Sequence, residues 1–264
     1  MSIILDSIML HMDRAYLETC LVEGGNTLFF TITNHGYKDY THNMLLSLRK
    51  FQVDKKVLIV CIDTESNTYF QKEGYVTYLL NLGMSDFTEF RQNNFDKICY
   101  AKLLLIYKFL CMGYHVLYTD GDIVYANDPV AYLESQRPVE GDMWIQNDSV
   151  IDDSYQNVCA GFMYVRSSEV TKRYFNIEVP HFVPRYEDCV KENNDQTYLN
   201  RYIIPYLHAH LFPLKQFPNG NYYYHFHQNI PQEALIMVHF NWVVGHTKKE
   251  KMKEYGMWWI PEEP

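Results

Sequence analysis

The chain has no Cys-x-x-Cys pair, no extended basic tract, no uninterrupted apolar stretch of membrane-spanning length, no internal repeat and no low-complexity linker. Each absence removes a class of protein. The six cysteines, Cys20, Cys61, Cys99, Cys111, Cys159 and Cys189, are widely spaced. That spacing excludes an obvious zinc site and does not fit a secreted disulfide framework. Buried free thiols in a reducing compartment are therefore expected. The net charge of −9 without a basic tract argues against nucleic acid as the main partner. It also implies that an anionic ligand would be held by a local device, such as a metal ion, rather than by the global field. The most apolar region, Ala101 to Tyr118, is broken by Lys108, Gly113 and His115, so no membrane span is expected. Residues 1–20 contain Asp6, His11, Asp13 and Arg14 without a basic start or a clean apolar stretch, which is not the pattern of a targeting segment. A cytoplasmic location is the resulting expectation.

What is present is a globular composition. With 264 residues, 47% of them hydrophobic and 21% charged, the chain is long enough to bury a sizeable core. Aromatics reach 16%, including 23 Tyr. Tyr offers a stacking face and a hydroxyl that suit sugars and bases, although most such residues simply pack cores. Leu28–Thr33, Lys56–Ile62, Tyr75–Leu79 and Val116–Tyr118 read as strands. They alternate with helical patterns over Tyr40–Phe51, Ser66–Glu73 and Asp96–Met112, the last closed by Gly113. Further along, Met143–Ile145 and Gly161–Val165 read as strands, Glu169–Phe175 and Asp195–Tyr206 as helices, and Val179–Arg185 as a Pro-rich loop. The alternation predicts an α/β fold with helices on both faces of a sheet. In such sheets ligands bind beyond the carboxyl ends of the strands. Thr33-Asn34, Asp63 and Asp120-Gly121-Asp122 all fall at strand ends.

The segment Tyr118-Thr119-Asp120-Gly121-Asp122 runs an apolar strand into two carboxylates two residues apart. Oxygen ligands of that kind suit a hard divalent cation. A bare Asp-x-Asp is equally the mark of a solvated acidic turn, so its company matters. His239 follows the apolar run Ala234–Val238, and a neutral imidazole there would complete a mixed oxygen and nitrogen site with Asp122. Gly245 would admit a phosphate close to the backbone, and Lys248 would neutralise it. Asn193-Asn194-Asp195-Gln196 marks a helix start that would set Asp195 or Gln196 beside a reacting sugar. Cys159-Ala160-Gly161-Phe162 reads as a small-residue turn, and Lys102 lies one helix before the acidic pair. Each piece also has an ordinary structural reading: a core histidine, a solvated basic helix, an N-cap, a surface lysine.

Taken together and in this order, the segments resemble the nucleotide-diphospho-sugar transferases, glycosyltransferases of GT-A type. The likeness is to the branch with plant cell-wall xylosyl-, arabinosyl- and galactosyltransferases and their viral and algal relatives. It runs from about Leu28 to Trp258 and rests on Gly113–Asp122 with Asp128-Pro129, Gly161–Ser167, Asn194–Gln196, His239–Lys248 and Gly256-Met257-Trp258. The resemblance implies a Rossmann-like, mostly parallel central sheet with a smaller acceptor-side sheet region. It further implies one domain over 1–264, with a nucleotide-sugar half over about 27–130 and an acceptor half over about 131–260. Asp120, Asp122 and His239 would hold Mn2+ or Mg2+. Asp120 with Gly121 would meet the donor ribose, and Gly245 and Lys248 its diphosphate. Thr31, Thr33, Asn34 and Asp63 would hold the nucleotide, with Tyr37 as a stacking partner for the base. Lys102 falls near the donor sugar, and Asp195 and Gln196 match the pair that flanks the anomeric carbon.

The implied reaction moves a sugar, galactose or xylose, from a UDP-sugar to a glycan or glycoprotein acceptor. It implies retention, in which the leaving diphosphate takes the acceptor proton and no strong base is required. An inverting enzyme would instead need a carboxylate base, for which Asp195 and Asp188 are the candidates. Two other readings are a binding module that has lost catalysis and a metal-dependent hydrolase or nucleotidyltransferase; the latter calls for more clustered carboxylates than the sequence shows. Two departures from the family pattern stand out. Cys159 replaces an Asn that contacts the donor sugar in relatives, and the membrane anchor of Golgi members is lacking. The chain therefore looks like a soluble form, in the host cytoplasm if viral, or a domain of a longer enzyme.

Overall fold

The computed structural model describes residues 13–22, 25–87, 95–136, 139–150, 157–192 and 195–261. The strands are β1 (Thr27–Thr33), β2 (Leu58–Cys61), β3 (Thr77–Leu79), β4 (His115–Thr119), β5 (Ile123–Tyr125), β6 (Met143–Asn147), β7 (Val158–Val165), β8 (Ala209–Phe212) and β9 (Met237–His239). The helices are α1 (Arg14–Glu18), α2 (Lys38–Arg49), α3 (Thr64–Lys72), α4 (Phe95–Cys111), α5 (Pro129–Ser135), α6 (Glu169–Phe175), α7 (Phe182–Glu192), α8 (Asp195–Tyr198), α9 (Gly220–Phe226) and α10 (His246–Glu254).

A seven-stranded sheet has the order β3-β2-β1-β4-β7-β6-β8, and β5 pairs with β9 in a second, two-stranded sheet. In the large sheet β7 alone runs against the other strands. β1 is buried along its whole length, as a central strand covered on both faces must be. Successive side chains point to opposite faces. Leu28, Phe30 and Ile32 join the core with Leu103, Ile106 and Leu110 of α4. Phe29 packs on the other face with Met44, Leu45 and Leu48 of α2 and Phe70 of α3. Because β7 is antiparallel, its first residues lie at the same edge of the sheet as the carboxyl ends of β1, β4 and β6. The crevice at that edge is the one the strand-end argument anticipates.

Three local expectations need correction. The segment Val179–Arg185 is not all loop, since α7 begins at Phe182. Pro184 falls in the first turn, where its missing N–H has no intrahelical partner to lose. The helix expected over Asp195–Tyr206 is α-helical only to Tyr198; it widens into a π turn over Leu199–Ile203 and tightens into a 3-10 turn over Ile204–Tyr206. Pro205 lacks the N–H that a regular helix would need there. Cys159-Ala160-Gly161-Phe162 is not a turn but the interior of β7. Asn193 and Asn194 of the expected helix start lie outside the described residues. Among the described residues no helix is long and apolar enough to cross a membrane.

Candidate active site

β4 ends at Thr119, the chain turns through Asp120-Gly121-Asp122, and β5 starts at Ile123. β5 pairs antiparallel with β9 in a register that sets Ile123 opposite His239, and the Phe240 N–H donates to the Asp122 carbonyl at 3.0 Å. The small second sheet thus carries His239 to the acidic turn across more than a hundred residues of sequence. The imidazole Nε2 lies 3.3 Å from Asp122 Oδ1 and 3.9 Å from Asp120 Oδ2. One ligand atom from each of Asp120, Asp122 and His239 falls within 4.8 Å of the others. Two carboxylates and one imidazole fit a divalent cation of the Mn2+ or Mg2+ kind.

The imidazole is presented for that role. Its Nδ1 lies 2.8 Å from Gln146 Oε1, and the Gln146 amide is itself oriented by a 3.2 Å bond from Nε2 to the Phe217 carbonyl. Nδ1 therefore carries the proton and Nε2 is directed at the carboxylates. Cys159 Sγ stands 3.5 Å from the same Nδ1. Burial alone would pull the His239 pKa down, but the Asp122 carboxylate overrides it and holds the imidazole well above its ordinary value. Asp122 would be pushed up by burial, yet Lys248 and His239 hold it well below the usual carboxylate range. Gly161 closes this corner. A Cβ there would come within 2.3 Å of His239 Cε1 and 2.8 Å of Asp120 Oδ2, so no side chain fits between the imidazole and the carboxylate.

Lys248 sits in the first turn of α10 and pairs directly with Asp122 Oδ2; it also donates to the Tyr37 hydroxyl at 3.1 Å. Gly245 caps that helix with φ 58°, a conformation that a side chain would strain. A helix start and a cation thus stand beside Asp122, a combination by which backbone and lysine hold phosphate elsewhere. Tyr37 stacks on Phe87 at 5.6 Å between centroids. Lys102 pairs with Asp195 at 2.7 Å, lies 3.7 Å from Asp120 and donates to the Ala160 carbonyl at 3.1 Å. Burial would lower its pKa, but Asp120 and Asp195 hold it well above the ordinary lysine value, so it is a buried cation.

These groups line one cavity of about 540 Å³, within the range of small-molecule sites. Of the residues singled out from the sequence, Thr33, Asn34, Tyr37, Lys102, Asp120, Gly121, Asp122, Asp195, Gln196, His239, Gly245 and Lys248 are on its walls. Thr31 and Asp63 are not. Thr31 is fully buried, and Asp63 caps α3, taking the Ser66 N–H at 2.7 Å and the His35 N–H at 2.8 Å. Asn34 reaches the wall while its side chain accepts from the Tyr37 N–H at 3.0 Å.

Besides Phe87, Gln146 and Asp148 escaped the sequence reading. Gln146 orients His239. Asp148 lines the cavity and accepts from Gln196 Nε2 at 3.1 Å, Trp242 Nε1 at 3.0 Å and Asn241 Nδ2 at 3.3 Å. Burial pushes its carboxyl pKa up, and those donors pull against the shift. Their signal was the polar run Gln146-Asn147-Asp148 directly after the apolar Met143-Trp144-Ile145, at the carboxyl end of a strand.

The family model described as nucleotide-diphospho-sugar transferase matches residues 52–253. A UDP-galactose:fucoside alpha-3-galactosyltransferase of Dictyostelium discoideum is 26% identical over 90% of this chain and 44% of its own length. A UDP-D-xylose:L-fucose alpha-1,3-D-xylosyltransferase of Arabidopsis thaliana is 21% identical over 91% of this chain and 68% of its own. The chain thus spans less than half of the first relative. Among solved structures, a glycosyltransferase involved in glycosylation of the major capsid of PBCV-1 superposes with a TM-score of 0.53 at 11% identity, covering 86% of this chain and 98% of that one. Mouse xyloside xylosyltransferase 1 superposes with a TM-score of 0.51 at 10% identity, covering 82% and 98%. Sheet order, site geometry and family match lead to one conclusion: the chain has the GT-A fold and belongs to the nucleotide-diphospho-sugar transferase family of glycosyltransferases.

Proposed function

We propose that this chain transfers galactose or xylose from a UDP donor to a fucose-bearing glycan, with retention at the anomeric carbon and with a divalent cation of the Mn2+ kind. The observation that carries the reading is the convergence of Asp120, Asp122, His239 and Lys248 in one cavity wall. Chain 1–264 would act as one domain, with about 27–130 forming the donor half and about 131–260 the acceptor half. The acceptor class follows the names of the relatives, which specify fucoside or L-fucose. The buried free thiols of Cys20, Cys61, Cys99 and Cys159 favour a reducing, cytoplasmic setting.

A cation held by Asp120, Asp122 and His239 would neutralise the diphosphate as it leaves. Lys248 would exchange its contact with Asp122 for a phosphate oxygen, adding a buried positive charge where negative charge develops. Tyr37 and Phe87 offer an aromatic wall for the base. Lys102, Asp195 and Gln196 surround the position of the donor sugar. Asp195 is buried and committed to Lys102 at 2.7 Å, which leaves it poorly suited to accept an acceptor proton. That commitment favours retention, with the leaving phosphate as base, over inversion through Asp195.

The test is UDP release from a panel of UDP-sugars, with Mn2+ and with chelator, using methyl α-L-fucopyranoside as acceptor and NMR to read the product anomer. Mn2+-dependent release from UDP-galactose or UDP-xylose and an α-linked product are expected. Release that persists in chelator would remove the metal assignment, and a β-linked product would replace retention by inversion.

A further inference from the structure

We propose that Trp242 and Asp148 form the acceptor subsite, in which a pyranoside lays an apolar face on the Trp242 indole and donates a hydroxyl hydrogen to the Asp148 carboxylate. The inference rests on the transferase reading above and adds where the second substrate binds.

Trp242 lies on the loop between β9 and α10 and is among the cavity-lining residues, yet it is 54% exposed. Its backbone sits at φ 64°, a region that side-chain-bearing residues adopt only at an energetic cost. A large apolar side chain half in solvent on a strained backbone opposes stability twice. The stabilities of loop and core do not call for it. A ligand does, because an aromatic face at a cavity mouth is a platform for the C–H face of a sugar.

The ring is held in place. Its Nε1 donates to Asp148 Oδ1 at 3.0 Å, which fixes one edge and leaves the flat face to be covered. Asp148 in turn takes donors from Asn241 on the same oxygen and from Gln196 on Oδ2. A carboxylate has about four acceptor positions, so these three bonds leave room for one more, from a substrate hydroxyl.

The contacts also order the cavity. From the aromatic wall they run Tyr37, Lys248, Asp122, His239, Cys159, Asn241 and then Asp148 with Trp242. The nucleotide and diphosphate groups fall at the first end of that series. Trp242 and Asp148 fall at the other, with Gln196 bridging them to the position of the donor sugar. A second substrate approaching the donor sugar from solvent meets this end.

The experiment measures acceptor KM with methyl α-L-fucopyranoside, and in parallel the Kd for UDP in Mn2+ by calorimetry. Wild type is compared with Trp242→Ala, Trp242→Gly, Trp242→Phe and Asp148→Asn, with circular dichroism confirming each fold. Trp242→Gly relieves the backbone, so it keeps the test usable should Trp242→Ala not fold. The expected result is an acceptor KM raised tenfold or more in the Ala, Gly and Asn variants, recovery towards wild type in Trp242→Phe, and a UDP Kd within threefold of wild type throughout. An acceptor KM within twofold of wild type in folded Trp242→Gly overturns the proposal. So does a fall in UDP affinity equal to the fall in acceptor affinity, which would make Trp242 part of the donor site. Failure of the transferase reading is distinguishable: wild type would then release no UDP from any UDP-sugar, and the subsite would fall with it before any variant is compared.

Discussion

Replacing Gln146 by Leu should uncouple His239 from its support without touching Asp120, Asp122 or His239, the proposed ligands. Gln146 is fully buried and gives its Oε1 to the imidazole Nδ1 at 2.8 Å. Leu has a similar volume and no acceptor. The Nδ1–H would be left facing only Cys159 Sγ at 3.5 Å, and the Phe217 carbonyl would lose its 3.2 Å donor. A buried group deprived of its partner costs about 1–3 kcal/mol, so a modest fall in Tm is expected. The larger effect is on the ligand: partners of a metal-bound histidine are worth about 10–100-fold in metal affinity. Gln146→Glu keeps an acceptor in the same place and should hold the ring, although its added negative charge will strengthen proton competition. Mn2+ binding is read from the loss of the free-ion EPR signal. The Mn2+ Kd should rise at least tenfold in Gln146→Leu and less in Gln146→Glu at pH 8. A folded Gln146→Leu whose Mn2+ Kd stays within twofold of wild type would refute this role of Gln146, as would identical losses in the two variants.

Other outcomes follow from the same corner of the fold. Gly161→Ala should lose Mn2+ affinity tenfold or more, because the new methyl would approach His239 Cε1 to 2.3 Å. Overpacking of this kind also destabilises by about 1–3 kcal/mol, which thermal melting with and without Mn2+ would register. Metal binding should release protons near neutral pH, since Asp122 holds the His239 pKa well above its ordinary value against the pull of burial, and the cation must displace that proton. Calorimetry in buffers of different ionisation enthalpy reads the release, and Mn2+ affinity should rise with pH. In the metal-free protein the stability contributed by His239 is full below about pH 6.5, the unfolded value, and declines as pH rises through the folded value. Among the cysteines whose side chains are described, Cys111 alone is exposed; iodoacetamide followed by peptide mapping should label it well before Cys20, Cys61, Cys99 and Cys159. Burial pushes the Cys61 thiol up to about 12 and the Cys99 thiol well above its ordinary value, so both resist alkylation by charge state as well as by access.

Much of the first half of the large sheet was legible because its signals are local. β1 and β4 are short apolar runs with a turn at each end, and α4 is an apolar helix closed by Gly113, so strand-end logic alone brings Thr33, Asn34 and Asp120–Asp122 to one crevice. The same logic fails at Asp63. Nothing in the sequence distinguishes a strand-end carboxylate aimed at a ligand from one spent on the cap of the next helix. The smaller sheet was implied by the family resemblance, but its β5–β9 pairing was out of reach of the residues themselves, since three-residue strands carry too little periodicity to identify and the pairing joins segments more than a hundred residues apart. His239 was found from its flanking motif, but the reason it faces the carboxylates is that pairing. Gln146 and Asp148 are polar residues after an apolar strand, a pattern shared by most strand ends. Their roles come from partners distant in sequence: His239 for Gln146, and Gln196, Asn241 and Trp242 for Asp148. α7 was hidden because Pro184 reads as a breaker unless the helix is known to start two residues before it.

The central claim is that Asp120, Asp122 and His239 hold a divalent cation that carries a nucleoside diphosphate. Crystals grown with Mn2+ and UDP, with diffraction recorded near the manganese edge, test it most directly. The expected result is an anomalous peak bonded to His239 Nε2 and both carboxylates, with diphosphate oxygens in the same coordination sphere and the Lys248 ammonium moved from Asp122 to a phosphate. A peak elsewhere, or UDP bound in the cavity with no anomalous signal at this triad, would contradict it.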